Sequence, residues 1–308
     1  MADDSRLLSI AGVERETGLG KDVLRVWEKR YGFPAPERDV HGDRVYPMDQ
    51  VDKLRLLRRL IDDGLRPGKI VGLPISELLS LHERATRNAS PAHGCTEPEL
   101  QEFIELLSSH RIDEFRLALL ARLMRLGLER FVLDIAAPLC TLVGDAWARG
   151  TIQLFEEHMF TEELTRVLRG TLQSLARPSG DSARPRVLLT TVSGEPHAIG
   201  LLMAETLMSL NSCDCLSLGP QTPEGDIAQA AIARQADIVI LSFSAWFNAQ
   251  QVGAVLTRLR SLLPAQCEIW AGGRNPGLQR DQPSGVTIMT ELREISAAIT
   301  AWRRRHDR

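Results

Sequence analysis

The chain has 308 residues, of which 44% are hydrophobic, and a formal net charge of −3 at pH 7. This length predicts two or three compact units. The near-neutral charge excludes nucleic-acid binding through overall basicity, so any such contact must come from a local surface. No signal-peptide pattern or long apolar run is recognised, which predicts a cytoplasmic protein without a membrane partner. The five scattered cysteines are interpreted as reduced packing residues.

Residues 1–83 predict a helix–turn–helix followed by a wing. A glycine turn, Gly18-Leu19-Gly20, separates two amphipathic stretches, and Gly32 ends the second of them. A loop signal at His41-Gly42-Asp43 indicates a β-hairpin. The pattern predicts helices over 10–17, 21–31 and 51–63, and a hairpin over 36–46.

The second helix and the wing carry the cations and tyrosines that could contact DNA. Arginine and lysine bind phosphates and base edges, and tyrosine hydroxyls bind phosphates. Asp22 and Glu28 reduce the net charge of the helix, so charge alone also fits an ordinary solvated helix. The candidate DNA contacts are Lys21, Arg25, Lys29, Arg30, Tyr31, Arg38, Arg44 and Tyr46.

Three stretches closely resemble the MerR family of winged-helix regulators. They begin with Val23-Leu-Arg-Val-Trp-Glu-Lys-Arg-Tyr-Gly-Phe33 and continue with Gly42-Asp-Arg-Val-Tyr46 and the helix from Asp52. The resemblance implies that this segment binds double-stranded operator DNA. The long dimerisation helix of that family is not recognised here, so we expect self-association, as a dimer or tetramer, through the C-terminal half.

The rest of the chain predicts a linker, a helical domain and an α/β domain. Residues 84–98 have no apolar period and are typical of a linker. Residues 99–178 predict a four-helix bundle, with Leu117, Leu120 and Met124 among its core stripes. Residues 179–308 alternate between strands and helices, which predicts a five-stranded, doubly wound parallel sheet of the Rossmann-like type. The predicted strands cover 187–192, 213–218, 237–243, 268–271 and 286–290.

The stretch from Glu195 to Gly200 is the strongest candidate for a ligand site. It reads Glu-Pro-His-Ala-Ile-Gly and follows the first strand of the predicted sheet. Ligands of parallel sheets bind at this carboxyl end, and the Glu195 carboxylate could orient the His197 imidazole. By itself the motif fits equally a loop histidine that packs on a helix start.

A second candidate group lies in the helical domain. Trp147 precedes Glu157 and His158, and the Gly150 break separates them, with Thr151 as the predicted N-cap of the next helix. An indole, a carboxylate and an imidazole could form a lid over a flat ligand. The alternative is a core tryptophan followed by an exposed acid and histidine.

The two groups in this order resemble the cobalamin-binding pair of the CarH/LitR-type light-responsive regulators of the MerR family and, more distantly, of methionine synthase. The resemblance implies adenosylcobalamin as cofactor, with His197 as the axial ligand below the cobalt and Trp147, Glu157 and His158 near its upper face. The further cofactor contacts that it implies are Glu195, Gly200, Thr222, Ser242, Ser244, Gly272 and Gly273.

The resemblance implies a repressor, not an enzyme, in which adenosylcobalamin is a light-sensing ligand that controls oligomerisation and operator binding. Two alternatives stay open. One is a cobalamin-independent MerR-type regulator that keeps the fold for protein contacts. The other is a corrinoid methyl-carrier protein, which has no need of a winged helix. Light-responsive relatives commonly carry a histidine directly after the bundle tryptophan, but this chain has Ala148, so capture of cobalt from that position is not expected.

Overall fold

The computed structural model describes residues 7–62, 65–87, 97–175, 184–280 and 283–306. The chain divides into two compact units. The first contains the described residues of Met1–Pro91 together with Thr141–His158, and the second those of Ala92–Cys140 together with Met159–Arg308. We describe each unit by itself.

The N-terminal part of the first unit is a winged helix. Its small antiparallel sheet has the order β1-β3-β2, so the predicted hairpin forms and a short first strand, which the sequence did not indicate, joins it. The elements are β1 (Leu7–Ser9), α1 (Ile10–Thr17), α2 (Lys21–Tyr31), β2 (Glu37–Arg38), β3 (Arg44–Pro47), α3 (Met48–Asp62), α4 (Pro67–Ile70) and α5 (Ile75–Arg87).

Local capping fixes the helix–turn–helix. The Ser9 hydroxyl accepts from the Gly12 N–H at 3.2 Å and caps α1. Gly18 ends α1 in the left-handed conformation, with φ at 66°, and its N–H donates to the Glu14 carbonyl. Leu24 and Trp27 turn inward from α2. The predicted bounds of α1 and α2 are confirmed.

Helices fill the described residues between 97 and 175. They are α6 (Glu97–Ser108), α7 (Ile112–Leu126), α8 (Leu128–Phe131), a π-helical segment (Val132–Ala136), α9 (Ala137–Ala148) and α10 (Leu154–Ser174). In the second unit, the Phe115 ring contacts the rings of Phe103 and Phe160 edge-on, with centroids 5.5 and 6.2 Å apart. These aromatic contacts hold α6, α7 and α10 together.

The predicted core stripe on α7 is wrong. Leu117, Leu120 and Met124 are 65%, 37% and 87% exposed, whereas Phe115 and Leu119 on another face are fully buried. This helix has two apolar faces, and the face that carries Phe115 packs against the neighbouring helices.

The stretch Leu128–Ala148 is long and apolar enough to cross a membrane by length and composition, contrary to the expectation from the sequence. Most of it, 61% of its most apolar window, is buried inside the protein. A mostly buried core helix of a globular protein has the same length and composition, so this stretch gives only weak evidence of a membrane span.

The C-terminal part of the second unit is the predicted α/β domain. Its five strands are all parallel, in the order β5-β4-β6-β7-β8. The central strands are continuous apolar runs, as parallel strands covered on both faces require. The elements are β4 (Arg186–Val192), α11 (Ile199–Leu210), β5 (Asp214–Thr222), α12 (Glu224–Arg234), β6 (Ile238–Phe243), α13 (Val252–Leu262), β7 (Glu268–Gly273), β8 (Val286–Met289) and α14 (Glu294–His306).

Two strands extend further than the sequence predicts. β5 continues to Thr222, past its predicted end at residue 218, because two register shifts let it stay paired with β4. β7 includes both Gly272 and Gly273. These extensions place the predicted ligand residues directly on the strand ends.

Candidate functional site

Glu195 is the centre of a hydrogen-bonded group at the carboxyl end of β4. Its side chain is fully buried. One carboxylate oxygen accepts from the backbone N–H of His197 at 3.0 Å and lies 2.8 Å from His197 Nδ1, and the other accepts from the Ser244 N–H at 2.7 Å. The Thr191 hydroxyl donates to the Glu195 carbonyl. A buried carboxylate is therefore fully supplied with donors.

These contacts fix the charge of Glu195 and the tautomer of His197. Burial alone would raise the pKa of Glu195, but the hydrogen bonds from His197 and Ser244 outweigh it and hold the pKa below its ordinary value. A carboxylate accepts but does not donate, so His197 Nδ1 carries the proton. In the neutral imidazole the lone pair then lies on Nε2, where a ligand could reach it, on a side chain that is 48% exposed.

Two residues that sequence reasoning missed support this histidine. The Trp246 ring lies nearly parallel to the imidazole, with centroids 6.2 Å apart and an angle of 23° between the planes. Asn275 is 2% exposed, and its amide donates to the carbonyls of Ser244 and Phe247 at 2.8 Å. The loop after β6 is thereby fastened to the loop after β7, and it holds Ser244 against Glu195. The sequence signal for Asn275 is its place directly before a proline, two residues after the glycine pair.

The donor set fits the cobalt of a corrinoid. A metal-binding histidine commonly donates its second N–H to a carboxylate, which orients the ring and raises its basicity. Within the part of the chain that the structure describes, no group of three or more His, Cys, Asp or Glu side chains could hold a metal. His197 offers a single nitrogen ligand, which suits the cobalt of a corrinoid because the macrocycle of that cofactor carries the other ligands.

The other predicted cofactor contacts on the sheet also lie at the carboxyl ends of its strands. Ser242, near the end of β6, lies against the start of α11, where a Cβ on Gly200 would be 3.3 Å from its hydroxyl. Thr222, at the end of β5, accepts from the Thr190 hydroxyl at 2.7 Å. Their predicted role as cofactor contacts stays a prediction.

Gly272 and Gly273 have a structural reason to be glycine. A Cβ on Gly273 would lie 2.1 Å from the Phe243 carbonyl oxygen, and φ at this residue is 119°. A Cβ on Gly272 would lie 3.1 Å from the Met289 carbonyl oxygen. Packing and backbone conformation therefore require glycine at 273 before any ligand is considered, whereas a side chain at 272 would only be tightly packed.

The predicted lid residues lie in the first unit. Trp147, near the end of α9, is 6% exposed. Glu157 and His158, in the first turns of α10, face each other with His158 Nε2 3.7 Å from a Glu157 oxygen, and the His158 side chain is 68% exposed. The N-cap prediction at Thr151 is wrong: α10 begins at Leu154, and the Glu156 carboxylate accepts from the Gln153 N–H at 2.6 Å.

Most of the predicted DNA contacts are accessible on α2 and the wing. The Arg25 side chain is 54% exposed and pairs with Asp22. Lys29 and Arg30 are exposed near the end of α2, and the Arg30 guanidinium lies over the Tyr31 ring. Lys21 is half-buried beside Glu14. Arg38 is exposed on the wing and donates to the Gly42 carbonyl.

Tyr46 does not belong to this surface, and its prediction as a DNA contact is corrected. Its side chain is fully buried in the core of the winged helix, because β3 turns it inward. Burial also raises the pKa of its hydroxyl. Arg44 is partly exposed, but its guanidinium pairs with Glu28 at 3.0 Å, so contact with a phosphate would break that ion pair.

Comparison with known proteins finds two family models. Residues 8–73 match the MerR HTH family regulatory protein model, and residues 100–169 match the B12 binding domain model. The first covers the helix–turn–helix and wing, and the second covers the helices that contain Trp147, Glu157 and His158.

Two regulators from Myxococcus xanthus are similar over most of the chain. The HTH-type transcriptional repressor CarH is 27% identical over 278 residues, which is 89% of this chain and 90% of CarH. The HTH-type transcriptional repressor CarA is 27% identical over 238 residues, 77% of this chain and 76% of CarA. The resemblance to CarH-type cobalamin-binding regulators is confirmed.

Among solved structures, the monomethylamine corrinoid protein of Methanosarcina barkeri is similar in fold. It aligns with a TM-score of 0.53 at 15% identity, covering 67% of this chain and all of that protein. At this identity the likeness concerns the fold alone. Together with the parallel sheet and the two family models, it confirms the predicted fold class.

Proposed function

We propose that this chain, which matches the MerR HTH family regulatory protein model and the B12 binding domain model and is similar to two HTH-type repressors, is a cytoplasmic repressor whose operator binding depends on adenosylcobalamin and light. The observation that carries the proposal is the buried Glu195 carboxylate, which holds His197 with Nε2 free at the carboxyl end of β4. The same chain carries exposed cations on a recognition helix.

His197 is the residue that would hold the cobalt of the cofactor, through Nε2. The hydrogen bond from Nδ1 to Glu195 keeps the ring in one tautomer and one orientation, and it makes Nε2 a better donor. Hydroxyl groups lie at the same carboxyl end of the sheet, where the nucleotide tail of the cofactor would lie. They belong to Ser242, Ser244 and Thr222.

Trp147, Glu157 and His158 are the proposed contacts for the upper side of the cofactor. Adenosylcobalamin, when bound, would supply a cobalt–carbon bond that light can break. The indole of Trp147 would shield the adenosyl group from water and select it by shape. Ala148 has no donor atom and is buried, so this position cannot hold the cofactor after illumination, and fresh adenosylcobalamin should restore DNA binding in the dark.

Self-association through the C-terminal half is part of the proposal. Two or more winged helices in one assembly bind a repeated operator with greater avidity than one, without any new contact to DNA. A corrinoid methyl carrier would not need the exposed Arg25, Lys29 and Arg30, so the recognition helix favours a regulator over that alternative.

The test uses the full chain with adenosylcobalamin added in the dark. We expect the bound cofactor to have the absorbance of histidine-ligated cobalamin, a larger assembly in gel filtration, and tight binding to a duplex selected by the chain from a randomised pool. Illumination should reduce assembly size and DNA affinity together. His197→Ala should lose the histidine-ligated spectrum, whereas His41→Ala, at the exposed hairpin tip, should keep it.

Each other outcome contradicts a defined part of the proposal. An unchanged spectrum and affinity in His197→Ala would show that His197 is not the ligand. DNA binding without any cobalamin uptake would favour a cobalamin-independent regulator. Cobalamin uptake with no effect of cofactor or light on DNA binding would refute the regulatory role.

A further inference from the structure

A buried arginine lies at the centre of the first unit. Arg55, on α3, is 1% exposed. Its guanidinium donates to a Glu16 oxygen at 2.6 Å and to an Asp52 oxygen at 2.9 Å. A guanidinium of a DNA-binding domain is usually expected at the phosphates, but this one is withdrawn from solvent and held by two carboxylates. Buried charges of this kind persist only with such partners.

The same guanidinium covers the predicted lid residue. Its central carbon lies 5.5 Å from the centroid of the Trp147 ring, which is within cation–π range. A second point of the same segment is also close, since a Cβ on Gly150 would lie 3.4 Å from an Asp52 oxygen. Trp147 and Gly150 belong to the same compact unit as Arg55 and Asp52. The ion-paired group therefore contacts the end of α9 and the turn that follows it.

Glu16 connects this ion-paired group to the turn before α2, the proposed recognition helix. It is in the last turn of α1, beside Thr17, whose fully buried hydroxyl accepts from the Leu19 N–H at 3.2 Å. This is the turn that sets the direction of α2. One side chain, Arg55, thus contacts both the ring of Trp147 and the Glu16 carboxylate in the last turn of α1.

We propose that Arg55 is a positioning residue that couples Trp147 to the recognition helix. Displacement of the indole uncovers a guanidinium that is otherwise desolvated. The Glu16 and Asp52 ion pairs then no longer hold it in one position, and the end of α1 is released. The coupling rests on the proposed function in one point only, namely that a change at the upper side of the cofactor displaces the indole of Trp147. The contact itself exists without ligand.

A double-mutant cycle tests the coupling. Arg55→Lys keeps the charge but removes the planar guanidinium, and Trp147→Leu removes the ring but keeps apolar bulk. DNA affinity is measured by fluorescence anisotropy on cofactor-free full chain at low salt, with the duplex selected from the randomised pool. We expect each single variant to bind about 5-fold or more weakly, and the double variant to bind no more weakly than the worse single variant, because both changes break one connection.

The chain offers a matched control. Arg184 lies over the Trp302 ring at 5.6 Å in the second unit, a similar distance at a half-exposed site without a recognition helix. Arg184→Lys and Trp302→Leu should leave DNA affinity unchanged, which separates the proposed connection from a general loss of stability.

Several results would overturn the inference. Strictly additive effects of Arg55→Lys and Trp147→Leu would show that the residues act independently. If Arg55→Lys does not fold, Trp147→Phe and Trp147→Leu are compared with wild type instead. Equal DNA affinity of all three proteins refutes the coupling. Lower DNA affinity in Trp147→Leu alone supports it. With adenosylcobalamin added, folded Arg55→Lys should take up cofactor yet show a smaller effect of cofactor on DNA affinity than wild type, the remaining effect coming from assembly through the C-terminal half. Since the cycle needs no cofactor, the coupling between Arg55 and Trp147 can be measured even in a chain that fails to bind cobalamin.

Discussion

Replacement of Glu195 by glutamine should destabilise the loop at the carboxyl end of β4 and weaken cobalamin binding. The carboxylate accepts three hydrogen bonds, at 2.8 and 3.0 Å from His197 and at 2.7 Å from Ser244. An amide has only one accepting oxygen. Whichever way it turns, its NH2 group faces at least one donor in a fully buried position. Loss of one charge-assisted bond costs about 1.5–3 kcal/mol of folding free energy.

The pH dependence gives this prediction a sign. The folded-state pKa of Glu195 lies below its ordinary value, where the hydrogen bonds outweigh burial. The charged carboxylate therefore adds stability above the unfolded-state pKa of about 4.3, and this stability is lost as pH falls through the folded-state pKa. The difference between wild type and Glu195→Gln should be largest near pH 7 and should shrink in acid.

The assay is urea unfolding of the cofactor-free chain, read by hydrogen exchange across Arg186–Val192, because the two compact units need not unfold together. Glu105→Gln, on an exposed position of α6, is the control and should change nothing. Cobalamin affinity of Glu195→Gln should fall by about 10- to 100-fold, as for other partners of metal-binding histidines. Equal unfolding of Glu195→Gln and wild type at pH 7 would refute the reasoning.

Three further outcomes follow from burial and exposure. Arg25→Ala and Arg30→Ala should each weaken DNA binding, by about 1–3 kcal/mol if the contact is to a base edge and with a salt slope smaller by about one if it is to a phosphate; Tyr46→Phe, at a buried position, should leave both affinity and slope unchanged in the same titration. Ala148→His inserts an imidazole at a site 1% exposed, and thermal unfolding should show a loss of about 1–3 kcal/mol; an unchanged Tm would mean that the site opens readily. Met124→Asp, at 87% exposure, should alter unfolding by less than about 0.5 kcal/mol, and a larger loss would restore the predicted core stripe.

The sequence predicts best what local chemistry decides. The bounds of α1 and α2 follow from Ser9 and the glycines at their ends, which act through bonds to residues a few positions away. Apolar runs bounded by turns predict the sheet domain equally well, since each buried strand is continuous. The histidine–carboxylate pair was also predictable, because its members are two residues apart.

Features that depend on distant parts of the chain were not predictable. Periodicity on α7 indicates an apolar face but cannot decide between Leu119 and the face with Leu120 and Met124. The extension of β5 depends on register shifts against β4. The support of His197 by Trp246 and Asn275 arises only when the ends of β6 and β7 meet. No sequence pattern signals that an arginine on α3 will lie over Trp147.

The glycine pair at the end of β7 has a consequence for how lost function would be recognised in related genes. Gly273 cannot accept a Cβ because of a carbonyl of its own sheet, so a descendant that abandons the cofactor must still keep it in order to fold. Retention of Gly273 is therefore a poor record of whether a lineage binds cobalamin. His197 is half-exposed, and its loss removes one of the three hydrogen bonds to Glu195 but creates no steric clash, so it is less constrained than Gly273 once selection for the ligand ends. In a family tree, the histidine should disappear before Gly273.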